Sequence, residues 1–217
     1  MNTDTLAFLE ALFASCEQGF LTFTAIHPDG QHPTPSRHIP IGSRLCLTHT
    51  LERLIAANRA GGGAYVAVAT RKTNLGRWRR GRKEDLLALP ALFVDIDRPV
   101  QGVLQELRDF PLPPSCLVGS GYGLHAYWML LAPTQDFHRA ELILRGLAAV
   151  LHGDVMSPAQ SLRLPGTLNL KPHRESARCE VIQLHPDRRY TLDDFADYPI
   201  RRCKTRSFQR QTARKTT

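Results

Sequence analysis

The sequence predicts an α+β fold with one sheet half covered by helices. Strand-like and helix-like segments alternate, but without the strict βαβ regularity of a parallel sheet. SCLVGSG and HAYWMLL (125–131) are apolar runs joined through the glycine turn GSGYGL, which reads as a hairpin. TQDFHRAELILRGLAAVLHG (134–153) is the clearest helix, with Leu142, Leu144, Leu147, Val150 and Leu151 on its apolar face.

The remaining elements follow in order. Leu6, Leu9, Leu12 and Phe13 have helical spacing over 4–15, behind Thr3 or Asp4 as cap. FLTFTAI (20–26) alternates and reads as a strand, and HPDGQHPTP is a turn-rich loop. RHIPI and RLCLTH suggest short strands, and TLERLIAANRA (50–60) a helix stopped by Gly61, Gly62 and Gly63. AYVAVATR (64–71) is a buried strand, the basic stretch after it a loop, and EDLLAL one helical turn. ALFVDID (91–97) is a strand with an acidic end, followed by a helix over 99–109 with Pro99 in its first turn. Residues 154–175 lack periodicity, CEVIQL (179–184) is a strand and YTLDDFADY (190–198) a short helix. The organisation expected is a domain over 1–198, divided near residue 90 into an N-terminal lobe and a second sheet, with 199–217 a basic linker or disordered tail.

At 42% hydrophobic and 22% charged residues, the 217-residue chain belongs with globular proteins rather than disordered ones. No apolar run nears the roughly 20 residues of a membrane span, and the N-terminus lacks the basic-then-apolar pattern of a signal peptide. The expected compartment is the cytoplasm. Cys16, Cys46, Cys116, Cys179 and Cys203 are scattered, with no CxxC pair, which argues against a zinc ribbon or a disulfide framework. The net charge of +8 is concentrated. Segment 71–83 holds seven basic residues and no acid (Arg71, Lys72, Arg77, Arg79, Arg80, Arg82 and Lys83), and 200–217 holds seven more. That leaves 14 basic against 20 acidic residues elsewhere. Concentrated strips of this kind suit a polyanion, and single-stranded DNA is the partner expected.

Three segments carry chemistry. In ALFVDIDRP, Asp95 and Asp97 sit two apart on a strand and share a face. Their repulsion is relieved by a cation, and an all-oxygen ligand set selects Mg²⁺ or Mn²⁺; two such ions can activate a hydroxyl and stabilise leaving pyrophosphate. In GSGYGLHAYW, Gly121 and Gly123 allow a tight turn whose N–H groups can approach phosphate, and His125 begins the next strand. Its imidazole can donate to a phosphate oxygen or shuttle a proton. One of Tyr127 and Trp128 is expected in the core, the other beneath the site. In GDVMSPAQSLRLPGTLNLKP, Asp154 can complete a carboxylate triad, while Arg163, Asn169 and Lys171 project from a kinked segment as phosphate partners. Taken singly, each segment also has an ordinary reading: an acidic turn, a glycine hairpin, a charged surface loop.

In this order, ALFVDIDRP, GSGYGLHAYW and SLRLPGTLNLK resemble the primase-polymerases of the archaeal and eukaryotic primase superfamily, closest to the RepB-like plasmid and phage branch. GGGAYVAVATRK also looks like the strand that ends in an arginine ahead of that family's first motif. The resemblance spans about residues 5–198. It implies a modified RNA-recognition-type antiparallel sheet with helices, joined to an N-terminal α/β lobe, with the active site in the cleft between them. It further implies template-directed nucleotidyl transfer, as primer synthesis or DNA polymerisation, from NTP or dNTP. Asp95, Asp97 and Asp154 would hold two Mg²⁺ or Mn²⁺ ions. Relatives carry a further Asp a few residues after the third acidic position, where this chain has Ser157. His125, Arg163, Asn169 and Lys171 would face the triphosphate, and Ser120, Gly121 and Gly123 would shape its pocket. Arg71 and the loop behind it would contact template or nucleotide. A helicase domain or replication protein is a further partner of that setting; no membrane is.

Two rival functions use the same features. A nickase-type replication initiator pairs two histidines with a tyrosine, but this chain has no HxH on a strand. A non-catalytic single-strand-binding module would use the basic strips with Trp78, Tyr122 or Trp128 as stacking platforms, but would leave Asp95 and Asp97 repelling phosphate.

Overall fold

A computed structural model describes residues 3–171 and 175–198. The architecture is α+β, with two antiparallel sheets and, among the described residues, four α-helices. The first sheet has the order β2-β1-β3-β7, from β1 (Phe20–Ile26), β2 (Ser36–Pro40), β3 (Gly63–Ala67) and β7 (Ser161–Arg163). The second has the order β4-β6-β5-β9-β8, from β4 (Leu89–Ile96), β5 (Cys116–Gly119), β6 (Leu124–Thr134), β8 (Thr167–Asn169) and β9 (Ala177–Leu184). The β5–β6 hairpin expected around GSGYGL is present, with Gly119 opposite Leu124.

Helix α1 (Thr3–Phe13) packs against β4 and β9 of the second sheet, with the Phe8 ring edge-on to Tyr127 at 5.3 Å. Helix α2 (Arg44–Arg59) covers the first sheet. α3 (Val100–Arg108) follows β4, and α4 (Phe137–Val150) packs on β4 behind an N-cap in which the Asp136 carboxylate accepts from the Arg139 N–H at 2.9 Å. Its buried face carries Ala140, Ile143, Leu144, Leu147 and Ala148, while Val150, expected on that face, is exposed.

The segment RLCLTH does not form a strand. It is the first part of α2, whose buried stripe of Thr50, Leu51, Leu54 and Asn58 is helical, with Leu47 packed partly against the core. The brief Leu45–Cys46–Leu47 alternation imitates a strand because Leu45 is a solvent-exposed residue that happens to be apolar. The aperiodic stretch 154–175 contains β7 and β8, each three residues long and too short to show a period. The first sheet therefore draws its fourth strand from far beyond residue 90, and α1 serves the second sheet. The tail 199–217 lies outside the described residues.

The second sheet's core is dense. Trp128 and Tyr127 are both fully buried, and the Tyr127 ring lies 6.4 Å from that of His125. Trp128 satisfies its indole by donating to the Leu112 carbonyl at 2.6 Å and meets Phe110 and Phe195 edge-on. Burying a large apolar side chain contributes roughly 1.5–3 kcal/mol. A rigid β6 therefore stands beneath the groups that begin with His125.

Candidate active site

Strands β7 and β8 belong to different sheets yet are separated by Leu164, Pro165 and Gly166 alone. The chain thus crosses between sheets at the PGT turn, and the residues flanking the crossing face one cleft. A cavity of about 140 Å³ there is lined by Tyr65, Asp95, Asp97, Ser120, His125, Ser161, Leu162, Arg163, Asn169 and Lys171. Seven of the residues expected from the sequence meet in it. A larger cavity of about 430 Å³, near Cys16, Leu131 and Gln135, carries one carboxylate, Glu17, and no basic or imidazole group, so size does not mark the site.

Asp95 lies near the end of β4, and the intervening Ile96 is fully buried on the opposite face. Asp97 follows just beyond the strand. In the same row, His125 of β6 is the direct partner of Asp95 on one side and Asp154 forms a bridge to Asp95 on the other. Directly opposed residues of an antiparallel pair project to the same face, so the three side chains stand together. The Asp154 N–H donates to the Asp95 carbonyl at 2.8 Å. This approach requires Gly153: a Cβ there would lie 2.4 Å from Val94 Cγ1 and 2.7 Å from the Asp95 carbonyl oxygen. Arg98 ties the segment after Asp97 to α3 and to the end of α4, through Glu106 at 2.7 Å and the Leu151 carbonyl at 2.8 Å.

Burial raises the Asp95 carboxyl to about 6, reinforced by Asp97 and Asp154 and opposed by Lys171 and Arg163. Its Oδ1 is buried without a hydrogen-bond partner. An orphaned carboxylate oxygen flanked by two further carboxylates fits a divalent, oxygen-preferring cation. Asp95, Asp97 and Asp154 do not all come within 4.8 Å of one another.

The cationic side of the cleft is built as closely. Arg163 and Tyr65 are cross-strand partners on β7 and β3. The Arg163 guanidinium lies over the Tyr65 ring at 4.9 Å and donates from Nη2 to the Tyr65 hydroxyl at 2.9 Å, leaving Nη1 buried and unpartnered. Lys171 Nζ sits 3.7 Å from Asp97 Oδ2. Asn169 Nδ2 donates to the Ser120 carbonyl at 2.7 Å, and its Oδ1 is buried without a partner. Of the two turn glycines, Gly121 alone has positive φ; Gly123 is needed for close approach, because a Cβ there would meet the Ile96 carbonyl oxygen at 2.3 Å and Asp97 Cα at 3.0 Å.

His125 is buried, and desolvation together with Arg163 and Lys171 lowers its pKa to about 3. Its Nε2 lies 3.6 Å from Asp95 Oδ1, beyond hydrogen-bond length, and its Nδ1 has no partner. Four of the eight buried side-chain polar atoms without a partner among the described residues line this one cavity: Asp95 Oδ1, His125 Nδ1, Arg163 Nη1 and Asn169 Oδ1. Tyr65, not among the residues expected at the site, joins them through its pairing with Arg163.

Within the basic segment, Arg71 is fully buried and is not a surface contact. Its guanidinium donates to the Ala69, Arg80 and Ala159 carbonyls at 2.9, 3.1 and 3.2 Å. Buried His38 accepts from Thr22 Oγ1 at 2.9 Å and donates from Nε2 to the Arg79 carbonyl at 2.9 Å. These buttons hold the loop backbone inward, so that Arg77, Arg79, Arg80 and Arg82 project into solvent. Lys83 instead pairs with Glu141 at 2.5 Å, and Lys72 donates to the Glu84 carbonyl at 2.9 Å. Arg77 stacks on the exposed Trp78 at 4.8 Å. It also lines a groove of about 270 Å³ with Arg37 and Arg53, and no carboxylate among the described residues lines that groove. Burial lowers the Arg37 pKa, and the neighbouring Arg53 and Arg77 lower it further. Arg37 and Arg53 come from β2 and α2, so reading the basic run alone missed them. Trp128, fully buried, is unavailable as a stacking platform.

No family model and no curated protein matches the sequence. Solved structures do match in fold. The crystal structure of primase RepB' has a TM-score of 0.64 at 13% identity over 89% of this chain, which spans 61% of the RepB' chain. The AEP domain of the cyanophage S-2L primase-polymerase has a TM-score of 0.65 at 15% identity, over 92% of this chain and 98% of that one. The catalytic domain of primase RepB' in complex with initiator DNA has a TM-score of 0.62 at 13% identity, over 89% and 92%. The fold is that of primase and primase-polymerase catalytic domains. The expected resemblance to RepB-like primases is therefore met at the level of fold.

Proposed function

We propose that the chain catalyses template-directed nucleotidyl transfer on single-stranded DNA, with the incoming nucleotide's triphosphate in the cleft between the two sheets. The observation that carries this reading is the clustering of orphaned polar atoms. Buried donors and acceptors are almost always paired, so four unpaired ones around a single cavity argue for a ligand with complementary groups. An anionic ligand with a bound cation fits both sides of the cleft: carboxylates at Asp95, Asp97 and Asp154, and cations at Arg163 and Lys171.

In the reaction, a strand's 3′-hydroxyl attacks the α-phosphorus of the nucleotide. A new P–O bond forms, the bond to the pyrophosphate oxygen breaks, and the hydroxyl proton passes to solvent. Asp95, Asp97 and Asp154 would hold divalent ions, which would supply Lewis acidity for the hydroxyl and the leaving group. Arg163, fixed by Tyr65, presents its free Nη1 to a phosphate oxygen and offsets the charge that builds up there. Neutral His125 serves as a hydrogen-bond donor to the same ligand. The arginines projecting from 77–82, with Arg37 and Arg53, hold the template backbone.

Labelled NTPs and dNTPs, supplied with Mg²⁺ or Mn²⁺ and single-stranded DNA, test this with and without a primer. Incorporation into product longer than one nucleotide is the expected result. Template cleavage in the absence of nucleotides, with no incorporation, would place the activity among nucleases instead.

A further inference from the structure

The loop between β1 and β2 carries a second convergence of ligand-bearing groups, remote in sequence from the cleft. Among the described residues, His27, Asp29 and His32 form the only set of three whose imidazole nitrogens and carboxylate oxygens all lie within 4.8 Å of one another. His27 Nδ1 is 2.8 Å from Asp29 Oδ1, and His32 Nδ1 is 2.8 Å from Asp29 Oδ2. The two imidazole rings lie 4.1 Å apart at 33°. His27 Nδ1 is buried, and despite its short separation from Asp29 it lacks the alignment of a hydrogen bond.

We infer that His27, Asp29 and His32 form a binding site for a transition-metal ion of the Zn²⁺ class. Two imidazole nitrogens and one carboxylate oxygen make a borderline donor set, which prefers Zn²⁺, Co²⁺ or Ni²⁺ over Mg²⁺. This distinguishes the site from the all-oxygen carboxylates of the cleft. The local sequence, HPDGQH, folds the three ligands inward: the Gly30 N–H donates to the His27 carbonyl at 3.2 Å, and the Gln31 N–H to Asp29 Oδ1 at 3.0 Å. Three protein ligands leave a fourth tetrahedral position for water.

Such an ion has a structural consequence. The loop runs directly into Pro35 and Ser36. Pro35 lines the arginine groove, and the Ser36 N–H donates to the Arg77 carbonyl at 2.6 Å. The ion would cross-link the end of the hairpin that anchors the basic segment. The metal site stands independently of the proposed reaction; only a benefit to template grip rests on that reading.

The test titrates Zn²⁺, and Co²⁺ as a spectroscopic probe, into the full chain carrying Asp95→Ala, Asp97→Ala and Asp154→Ala, which removes the cleft's three carboxylates. Expected are one tightly bound equivalent, visible-range Co²⁺ bands of tetrahedral character, and slower proteolysis of loop 27–35 when Zn²⁺ is present. Adding His27→Ala or His32→Ala should abolish that equivalent while circular dichroism stays unchanged. No binding at one equivalent, or binding unaffected by either histidine variant, overturns the inference. Because nucleotide incorporation plays no part in this readout, failure here is distinct from failure of the proposed activity.

Discussion

His125 stands directly opposite Asp95 across the β4–β6 pair, with Nε2 3.6 Å from Oδ1. The two buried groups respond in opposite senses to their surroundings. Burial raises Asp95 to about 6 and lowers His125 to about 3. A pKa lowered this far favours the neutral imidazole near pH 7, which suits the hydrogen-bond donor role proposed for His125. Imidazole NMR should show no titration of His125 between pH 5 and 8. His125→Ala should lower the rate of incorporation by about 10²–10³-fold, the scale for losing one aimed donor, without shifting the pH profile in that range.

Asp95 makes a linked prediction for the metal-free protein. Its folded pKa exceeds the unfolded value, so between about 4 and 6 the folded state binds more protons, and stability falls as pH rises through that window. Asp95→Asn should then stabilise the protein at pH 7.5 in chelator, and raise its melting temperature. The gain should not exceed about 3 kcal/mol, the cost of ionising a carboxyl that titrates near 6 rather than near 4. Thermal denaturation at pH 4.5 and 7.5 checks this; equal gains at both pH values would count against the buried-charge explanation.

Gly153→Ala should damage both fold and site. The added Cβ meets Val94 and the Asp95 carbonyl, which forces the Asp154 segment off β4. A loss of about 1–3 kcal/mol is expected for overpacking of this kind, together with weaker Mn²⁺ binding by calorimetry.

The basic segment separates into two kinds of arginine. Arg71→Ala removes a buried guanidinium from three carbonyls and should destabilise the protein by about 3 kcal/mol or more, read by urea denaturation. Arg37→Ala, Arg53→Ala and Arg79→Ala should leave stability unchanged. Each should weaken single-stranded DNA binding and reduce the salt slope by about 0.7.

Much of the architecture is legible in the sequence where burial is periodic. β1, the acidic end of β4 and the β5–β6 hairpin all announce themselves by alternation or by glycine placement. α2 is obscured at its start because an exposed leucine, Leu45, mimics alternation. β7 and β8 are invisible because three residues cannot display a period, although the crossing they make creates the cleft. Seven expected residues converge there, since DxD spacing and the glycine turn constrain geometry locally. Tyr65, Arg37 and Arg53 act through partners distant in sequence, and nothing local distinguishes them. Arg71 shows the converse: a basic run reveals charge, but not which member of the run turns inward.

In the proposed reaction Asp95 anchors the chemistry of the cleft rather than its grip on DNA. The most direct test measures, in one set of purified proteins, nucleotide incorporation on single-stranded DNA and equilibrium DNA binding for the unmodified chain and for Asp95→Ala. The expected result is incorporation by the unmodified chain, none above background by Asp95→Ala, and DNA affinities within about twofold of each other. Undiminished incorporation by folded Asp95→Ala would contradict it.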